Sequence, residues 1–427
     1  MVFYVLVAGV AALVTFALAL LIWKLSTKYR LYPKIRARDV HTRPTPRLGG
    51  VAMFIGVVVA FAIGSQVPQL SIVFSEPGKI LAVLGAAAII VGIGVADDIW
   101  DLDWLTKLAG QIIAAGLLAW QGIQIVQLPG LQHTALILSP YMFLAITVFA
   151  VVLVMNALNF IDGLDGLVAG VAIIANSVFF IYSYIVTYQP TAQSAYFNLP
   201  QFVSAVLIGA CVGFLPLNWH PAKLFMGDAG ALLVGMLMAT STIGFTGNID
   251  AATLTNKEFL PAFIPILLPF AVLLVPLLDF GLAVFRRLRA GKSPFSADRL
   301  HLHHRLLDMG HSHLHAVLIF YGWTAAASIG LLLFLFTPSW VAIGVTAAGL
   351  VICTIVTLAP LSRRKAVEAA VQNAPPGAPG EADVAQYDPL DAAADATDVE
   401  SEPPPAEADR VLERLSERQR PKKKAAP

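Results

Sequence analysis

The chain is dominated by apolar runs of about 17 to 25 residues, the length a helix needs to cross the hydrocarbon core of a bilayer. Eleven can be marked, near 1–23, 48–64, 80–96, 108–125, 141–157, 167–188, 200–217, 229–245, 259–285, 316–336 and 339–360. A backbone crossing hydrocarbon must satisfy its own N–H and C=O groups, so the expected class is an all-α, polytopic integral membrane protein. Composition agrees. Of 427 residues 57% are hydrophobic and 13% charged, against roughly 45–50% and about 25% in soluble domains. A single soluble globular fold is excluded. The fourth run is the weakest, because Gln111, Gln121 and Gln124 interrupt it. Cys211 and Cys353 lie inside apolar runs and read as small buried hydrophobes.

Eleven spans put the termini on opposite sides, and the basic residues choose between the two orientations. Before Arg363 there are 18 Lys and Arg, and all except Lys79 and Lys257 fall in the loops after spans 1, 3, 5, 7 and 9. Positive charge stays cytoplasmic, which predicts an outward N-terminus and a cytoplasmic C-terminus. No basic residue precedes the first run and no small-residue cleavage site follows it, so it reads as a retained helix. Beyond Ser362 the composition turns to Ala, Pro, Glu and Asp. The expected organisation is therefore a membrane domain over 1–362 and a disordered cytoplasmic tail over 363–427. Pro261, Pro265, Pro269 and Pro276 should bend the ninth run around a groove.

Acidic residues are costly in membrane helices, so their positions carry information. Here they gather at the cytoplasmic ends. Asp97 and Asp98 adjoin at the end of the third span, and that placement persists only with a cation, a basic group or a shared proton, or as a solvated boundary turn. Asn156 and Asn159 share a helical face before a turn carrying Asp162 and Asp165, each followed by Gly. Asp228, between Gly227 and Ala229, either caps the eighth span or joins this hard-oxygen set. His301, His303, His304 and Arg305 form a dense anion-binding segment. His311, His313 and His315 continue it and read as surface or helix-start residues. The first cytoplasmic loop ends HTRPTPRLGG, with Arg47 before a glycine pair. Carboxylates, amides, histidines and arginines on one membrane face suit Mg²⁺-dependent chemistry on phosphates, with Mn²⁺ as an alternate ion and a lipid partner reaching in from the side.

The motifs HTRPTPRLGG, ADDIWDLD, NALNFIDGLDGL, FMGDAG and DRLHLHHRLLDMGHS stand in this order. With them the chain, from about Arg38 to Ala359, resembles the polyprenyl-phosphate N-acetylhexosamine 1-phosphate transferases of the glycosyltransferase 4 type. The HLHH form is similar to the branch that uses undecaprenyl phosphate and N-acetylglucosamine. The resemblance implies transfer of N-acetylglucosamine 1-phosphate from UDP-N-acetylglucosamine to undecaprenyl phosphate, releasing UMP, in the bacterial cytoplasmic membrane, at the start of envelope polysaccharide or teichoic acid synthesis. It implies that Asn159 and Asp228 hold Mg²⁺, that Lys107 and Arg305 contact the diphosphate, and that Phe225 packs on uracil. His301, His303 and His304 would orient the sugar phosphate, Asp97 and Asp98 would position or deprotonate the acceptor, and Asp162 and Asp165 would complete the polar wall with Asn156 and Arg47. Other UDP-N-acetylhexosamine or muramoyl-pentapeptide donors remain alternatives. No nucleic acid is expected, and the oligomeric state, a homodimer included, stays open. A transporter is the rival from another class. It would place acids near mid-span, where only Asp279 fits, and would show an internal repeat.

Overall fold

The computed structural model describes residues 1–29, 45–125, 139–188, 198–246, 285, 288–289, 291, 306–307 and 309–372, for 246 and 360–372 the backbone alone. By packing, the chain divides into Met1–Leu361 and Ser362–Pro427. The helices are α1 (Val2–Tyr29), α2 (Gly49–Gly64), α3 (Pro77–Trp100), α4 (Trp104–Trp120), α5 (Pro140–Ile161), α6 (Leu167–Thr187), α7 (Leu199–Asn218), α8 (Gly227–Thr246), α9 (His313–Leu333) and α10 (Ser339–Gln372). No strand occurs among the described residues. The protein is an all-α polytopic membrane protein.

Ten of the eleven apolar runs coincide with these helices, and the ninth, 259–285, lies outside the described residues but for its last residue. Among the described residues, eight helices are each long and apolar enough to cross a bilayer, and α2 joins them if counted with the short 3-10 helix Pro68–Phe74, which bends 114° away from it. α4 has only 17 residues and stops at Trp120, short of the expected 125. Gly122 explains the stop: it takes φ +86°, and the Ile123 and Gly122 N–H groups bond back to the carbonyls of Leu118 (3.0 Å) and Ala119 (3.1 Å). That is the left-handed glycine ending of a helix. α10 continues past the expected boundary at 363 to Gln372. The rest of the expected tail lies outside the described residues.

α8 is the centre of the bundle, packed against α2, α3, α5, α6 and α7. Within its span, 89% of residues are buried, against 6% in the span of α10. After Asp228 the sequence of α8 is apolar and small on every face, as a helix surrounded by others requires. α10 instead exposes Trp340, Ile343, Val351 and Ile355, apolar side chains suited to lipid. Without a hydrophobic force between helices in lipid, close packing relies on small residues. A Cβ on Gly94 of α3 would collide with the backbone of Ala229, and one on Gly50 of α2 with the backbone of Gly230. Thus α2 and α3 press on the first turn of α8, the turn that follows Asp228. Toward the other end of the bundle, Tyr4 donates to Gln201 Oε1 (2.8 Å), which donates from Nε2 to Thr187 (3.0 Å), tying α1 to α6 and α7.

Replacing Gly94 by Leu should therefore destabilise the protein by at least about 1–3 kcal/mol, the usual cost of overpacking. Gly92→Leu, where nothing lies within 4 Å of the added carbon, should be neutral. The unfolding midpoints of the two purified variants provide the comparison.

Candidate active site

At one end of the bundle α3 and α5 stop and α4, α6 and α8 begin. Asp97, in the last turn of α3, is 2% exposed. Its Oδ1 accepts from the Leu102 N–H at 2.8 Å, and its Oδ2 meets Lys107 Nζ at 2.5 Å. Lys107 also reaches Asp228 Oδ2 at 3.3 Å. Local structure places that lysine. Asp101 takes a left-handed conformation (φ 53°) that ends α3. Asp103 then caps α4 by accepting from the Thr106 N–H (3.1 Å), so Lys107 rises from the first turn. Of the four acids in ADDIWDLD, two serve the turn and the cap and two face the cluster.

Asp228 opens α8. Its carboxylate also accepts a hydrogen bond from the Asn159 side chain at the end of α5, and it makes a hydrogen-bonding contact with the Asp97 carboxylate. Two ionised carboxylates do not make such a contact without a proton or a cation between them. Asp98 lies beside them with its Oδ2 buried and without a hydrogen-bond partner. It presses against Gly227, where a Cβ would stand 2.5 Å from Asp98 Oδ2 and would also strike the Arg47 carbonyl. Gly227 has φ +69°, so both conformation and space demand glycine. The Pro46–Gly50 segment is stitched to Phe225–Met226 by three backbone hydrogen bonds: Phe225 N–H to Pro46 O (2.8 Å), Gly49 N–H to Phe225 O (3.0 Å) and Gly50 N–H to Met226 O (3.0 Å). This pairing fixes half-buried Phe225 and brings Arg47 beside the acids.

Asp162 heads the turn between α5 and α6. Burial, with the negative charges of Asp228, Asp98 and Asp165, pushes its carboxyl up to about 8, while Arg47 opposes the rise. Further along the turn, Asp165 Oδ2 accepts from His220 Nδ1 (2.8 Å) and the Ala222 N–H (3.1 Å), and the Asp165 N–H donates to His313 Nε2 (3.0 Å).

Two groupings can thus be compared as cation sites. Among the described residues, Asp165, His220 and His313 bring their ligand atoms within 4.8 Å of one another. Their atoms are already engaged in hydrogen bonds, and the two imidazoles stack nearly parallel (16°). Around Asp228 negative charge is in excess: among the described residues, Asp97, Asp98, Asp162 and Asp228 meet Lys107 and Arg47, and Asp98 Oδ2 is buried without a hydrogen-bond partner. That all-oxygen set, with Asn159, fits a hard divalent cation.

The structure thus brings together Asp97, Asp98, Lys107, Asn159, Asp162, Asp228 and Arg47, and holds Phe225 and Asp165 at the margins. Asn156 is turned elsewhere: its Nδ2 donates to Gln111 Oε1 of α4 (2.5 Å) and to the Val152 carbonyl (2.8 Å). His301, His303, His304 and Arg305 lie outside the described residues. His220 was not singled out by sequence, where a lone His before Pro carries no signal. His313 does begin a helix, but it turns inward to Asp165 rather than to the surface. His311 Nε2 meets the Thr357 carbonyl (3.0 Å), and His315 Nδ1 meets Ser312 (2.7 Å).

Comparison with known proteins decides the family. Residues 80–246, which span this cluster, match the family model described as Glycosyl transferase family 4. A decaprenyl-phosphate N-acetylglucosaminephosphotransferase of Mycobacterium leprae is 40% identical over 84% of this chain and 91% of its own. The chain belongs to the polyprenyl-phosphate N-acetylhexosamine 1-phosphate transferase family. The corresponding Mycobacterium tuberculosis H37Rv phosphotransferase is 42% identical over 78% of this member and 82% of its own length. A probable undecaprenyl-phosphate N-acetylglucosaminyl 1-phosphate transferase of Bacillus subtilis is 34% identical over 66% and 72%. In this transferase the residues gathered around Asp228 all fall inside the matched segment except Arg47, and His313 lies beyond it.

The raised Asp162 carboxyl makes a pH prediction. An unfolded Asp releases its proton near about 3.9, whereas folded Asp162 keeps it to about 8. Between these values the folded state holds the extra proton, so stability should fall as pH rises and level off above pH 8. Thermal unfolding from pH 5 to 8, free of divalent cations, should show this slope, and Asp162→Asn should make it shallower.

Proposed function

We propose that this protein transfers N-acetylglucosamine 1-phosphate from UDP-N-acetylglucosamine to a polyprenyl phosphate, releasing UMP. The observation that carries the reading is Lys107 shared between Asp97 and Asp228, with Asn159 on the same Asp228 carboxylate. Three separate motifs there meet at one end of the bundle in a group rich in negative charge and hard oxygen. Asn159 and Asp228 would hold Mg²⁺, with Asp98 Oδ2 beside them. When bound, the ion supplies neutralisation of the donor's diphosphate charge. Lys107, tethered to two acids, is a cation within reach of those phosphates, joined by Arg305. Phe225, anchored by the pairing with Pro46–Gly50, presents its ring to uracil, and His301, His303 and His304 orient the sugar phosphate.

Asp97 and Asp98 align the acceptor phosphate. One of its oxygens attacks the donor phosphorus that carries the sugar, the bond to the UMP oxygen breaks, and UMP leaves with the electron pair. Direct attack suffices because a phosphate monoester is already nucleophilic, so the protein needs only alignment and charge neutralisation.

The site end faces the cytoplasm of a bacterial inner membrane in this reading. Lys24 and Lys28 of α1, Arg47, Lys107 and Lys223 all belong to the basic loops, and Lys223 lies over the Trp23 ring (5.2 Å), joining the end of α1 to the α7–α8 connector. For the acceptor, the mycobacterial relatives' names point to decaprenyl phosphate and the Bacillus name to undecaprenyl phosphate. We assign catalysis to 1–362 and none to 363–427.

Purified protein should release UMP from UDP-N-acetylglucosamine only with Mg²⁺ and a polyprenyl phosphate, and EDTA should abolish it. Running decaprenyl and undecaprenyl phosphate side by side ranks the lipids. Asp228→Asn should lose at least about a hundredfold in turnover, the scale of removing one charge-stabilising group, while still folding. Activity near wild type would remove Asp228 from the metal site. Deleting 373–427 should leave turnover within about twofold, the range of surface changes away from a site, and a large loss would assign the tail a role.

A further inference from the structure

The Asp165–Gly166 unit is held through both its backbone and the Asp165 carboxylate. Besides the bonds of Asp165 to His313, His220 and Ala222, the Gly166 N–H donates to Asn218 Oδ1 (3.0 Å) and the Gly166 carbonyl accepts from the Tyr321 hydroxyl (2.6 Å). His220 and His313 stack with ring centres 4.3 Å apart. The holders come from two places: Asn218 and His220 from the end of α7 and its connector, His313 and Tyr321 from the first turns of α9. The reaction described above uses none of the three ring-bearing residues among them.

Position gives this clamp a purpose. Asp162 opens the same short turn, which contains Gly163 and Gly166 and is soft on its own. The turn follows directly on Asn159, whose carbonyl accepts from the Asp162 N–H (3.3 Å). An untethered turn would leave this end of α5, and Asn159 with it, free to shift.

We propose that His220, His313 and Tyr321 are positioning residues that hold the Asp162–Gly166 turn in place, so that Asn159 and the oxygens around Asp228 meet a divalent cation preassembled. The proposal rests on the reading of Asn159 and Asp228 as the metal-holding pair. His313 acts through the Asp165 backbone, Tyr321 through the Gly166 carbonyl and His220 through the Asp165 carboxylate.

The test is Mn²⁺ binding by the purified full-length protein without substrates, followed by the electron paramagnetic resonance signal of the free ion. Alongside it runs the Mg²⁺ concentration giving half-maximal UMP release. His313→Ala should weaken Mn²⁺ binding about tenfold, the lower end of what loss of a supporting partner costs a metal site, and should raise the Mg²⁺ requirement in step. Saturating Mg²⁺ should return its turnover to within about threefold of wild type, because excess ion selects the assembled arrangement. His313→Gln, which keeps an acceptor for the Asp165 N–H, should stay near wild type in both measurements. Tyr321→Phe deletes a single hydroxyl, should shift both in the same direction as His313→Ala, and carries the test if that variant does not fold. Wild-type Mn²⁺ affinity in both His313→Ala and Tyr321→Phe overturns the clamp while leaving the metal reading intact. Binding that survives Asp228→Asn but is abolished by His313→Gln places the ion on the histidines and overturns both. No Mn²⁺ binding by the wild-type protein overturns the metal reading and the clamp with it.

Discussion

A group of carboxylates that cannot all be ionised side by side in a poorly hydrated helix bundle is the constraint on which the rest of this protein depends. Asp97 and Asp228 share one lysine and touch each other, and Asp98 keeps a buried oxygen without a donor. Such an arrangement is expensive alone and becomes favourable when positive charge arrives. The helices are organised around it. α8 is surrounded on nearly all sides, and glycines on α2 and α3 bring their backbones against its first turn, so Asp228 cannot back away from its neighbours.

Two polar clusters lie close together here and differ in what they lack. The Asp165, His220 and His313 group sets one carboxylate against two stacked imidazoles, and Asp165 Oδ2 already accepts from His220 Nδ1 and the Ala222 N–H. The Asp97, Asp98 and Asp228 group gathers three carboxylates around Lys107, with Arg47 beside them. A divalent ion with phosphates answers that excess of negative charge. Proximity of ligand atoms alone does not separate the two, whereas their charge balance does.

Much of this was legible in the chain because membranes make polar residues costly. Asp97, Asp98, Asp162 and Asp228 stood out at the ends of apolar runs, and the structure gathers them, with Lys107 shared between Asp97 and Asp228. Ser139, Asn198 and Ser312 cap α5, α7 and α9, each accepting from a backbone N–H three residues on, and hydropathy alone did not single them out. Asn156 misled, because its spacing from Asn159 shows a shared face but not which neighbour occupies that face. Gln111 of α4 occupies it, and the same glutamine that weakened α4 as a span is the one that explains where Asn156 points. His220 carried no signal, since a single histidine before proline has no pattern until Asp165 is set 2.8 Å away.

The sequence by itself determined the helices, most of their ends, and which acids must be reckoned with. Periodicity, caps and the cost of charge in hydrocarbon are local properties, written residue by residue. Tertiary structure alone decided which acid meets which cation, that Pro46–Gly50 pairs with Phe225–Met226, and that α9 reaches back to the turn after α5 through His313 and Tyr321. Those contacts join residues from about 120 to 180 positions apart, and their partners are selected by packing and charge balance, which no stretch of chain contains on its own.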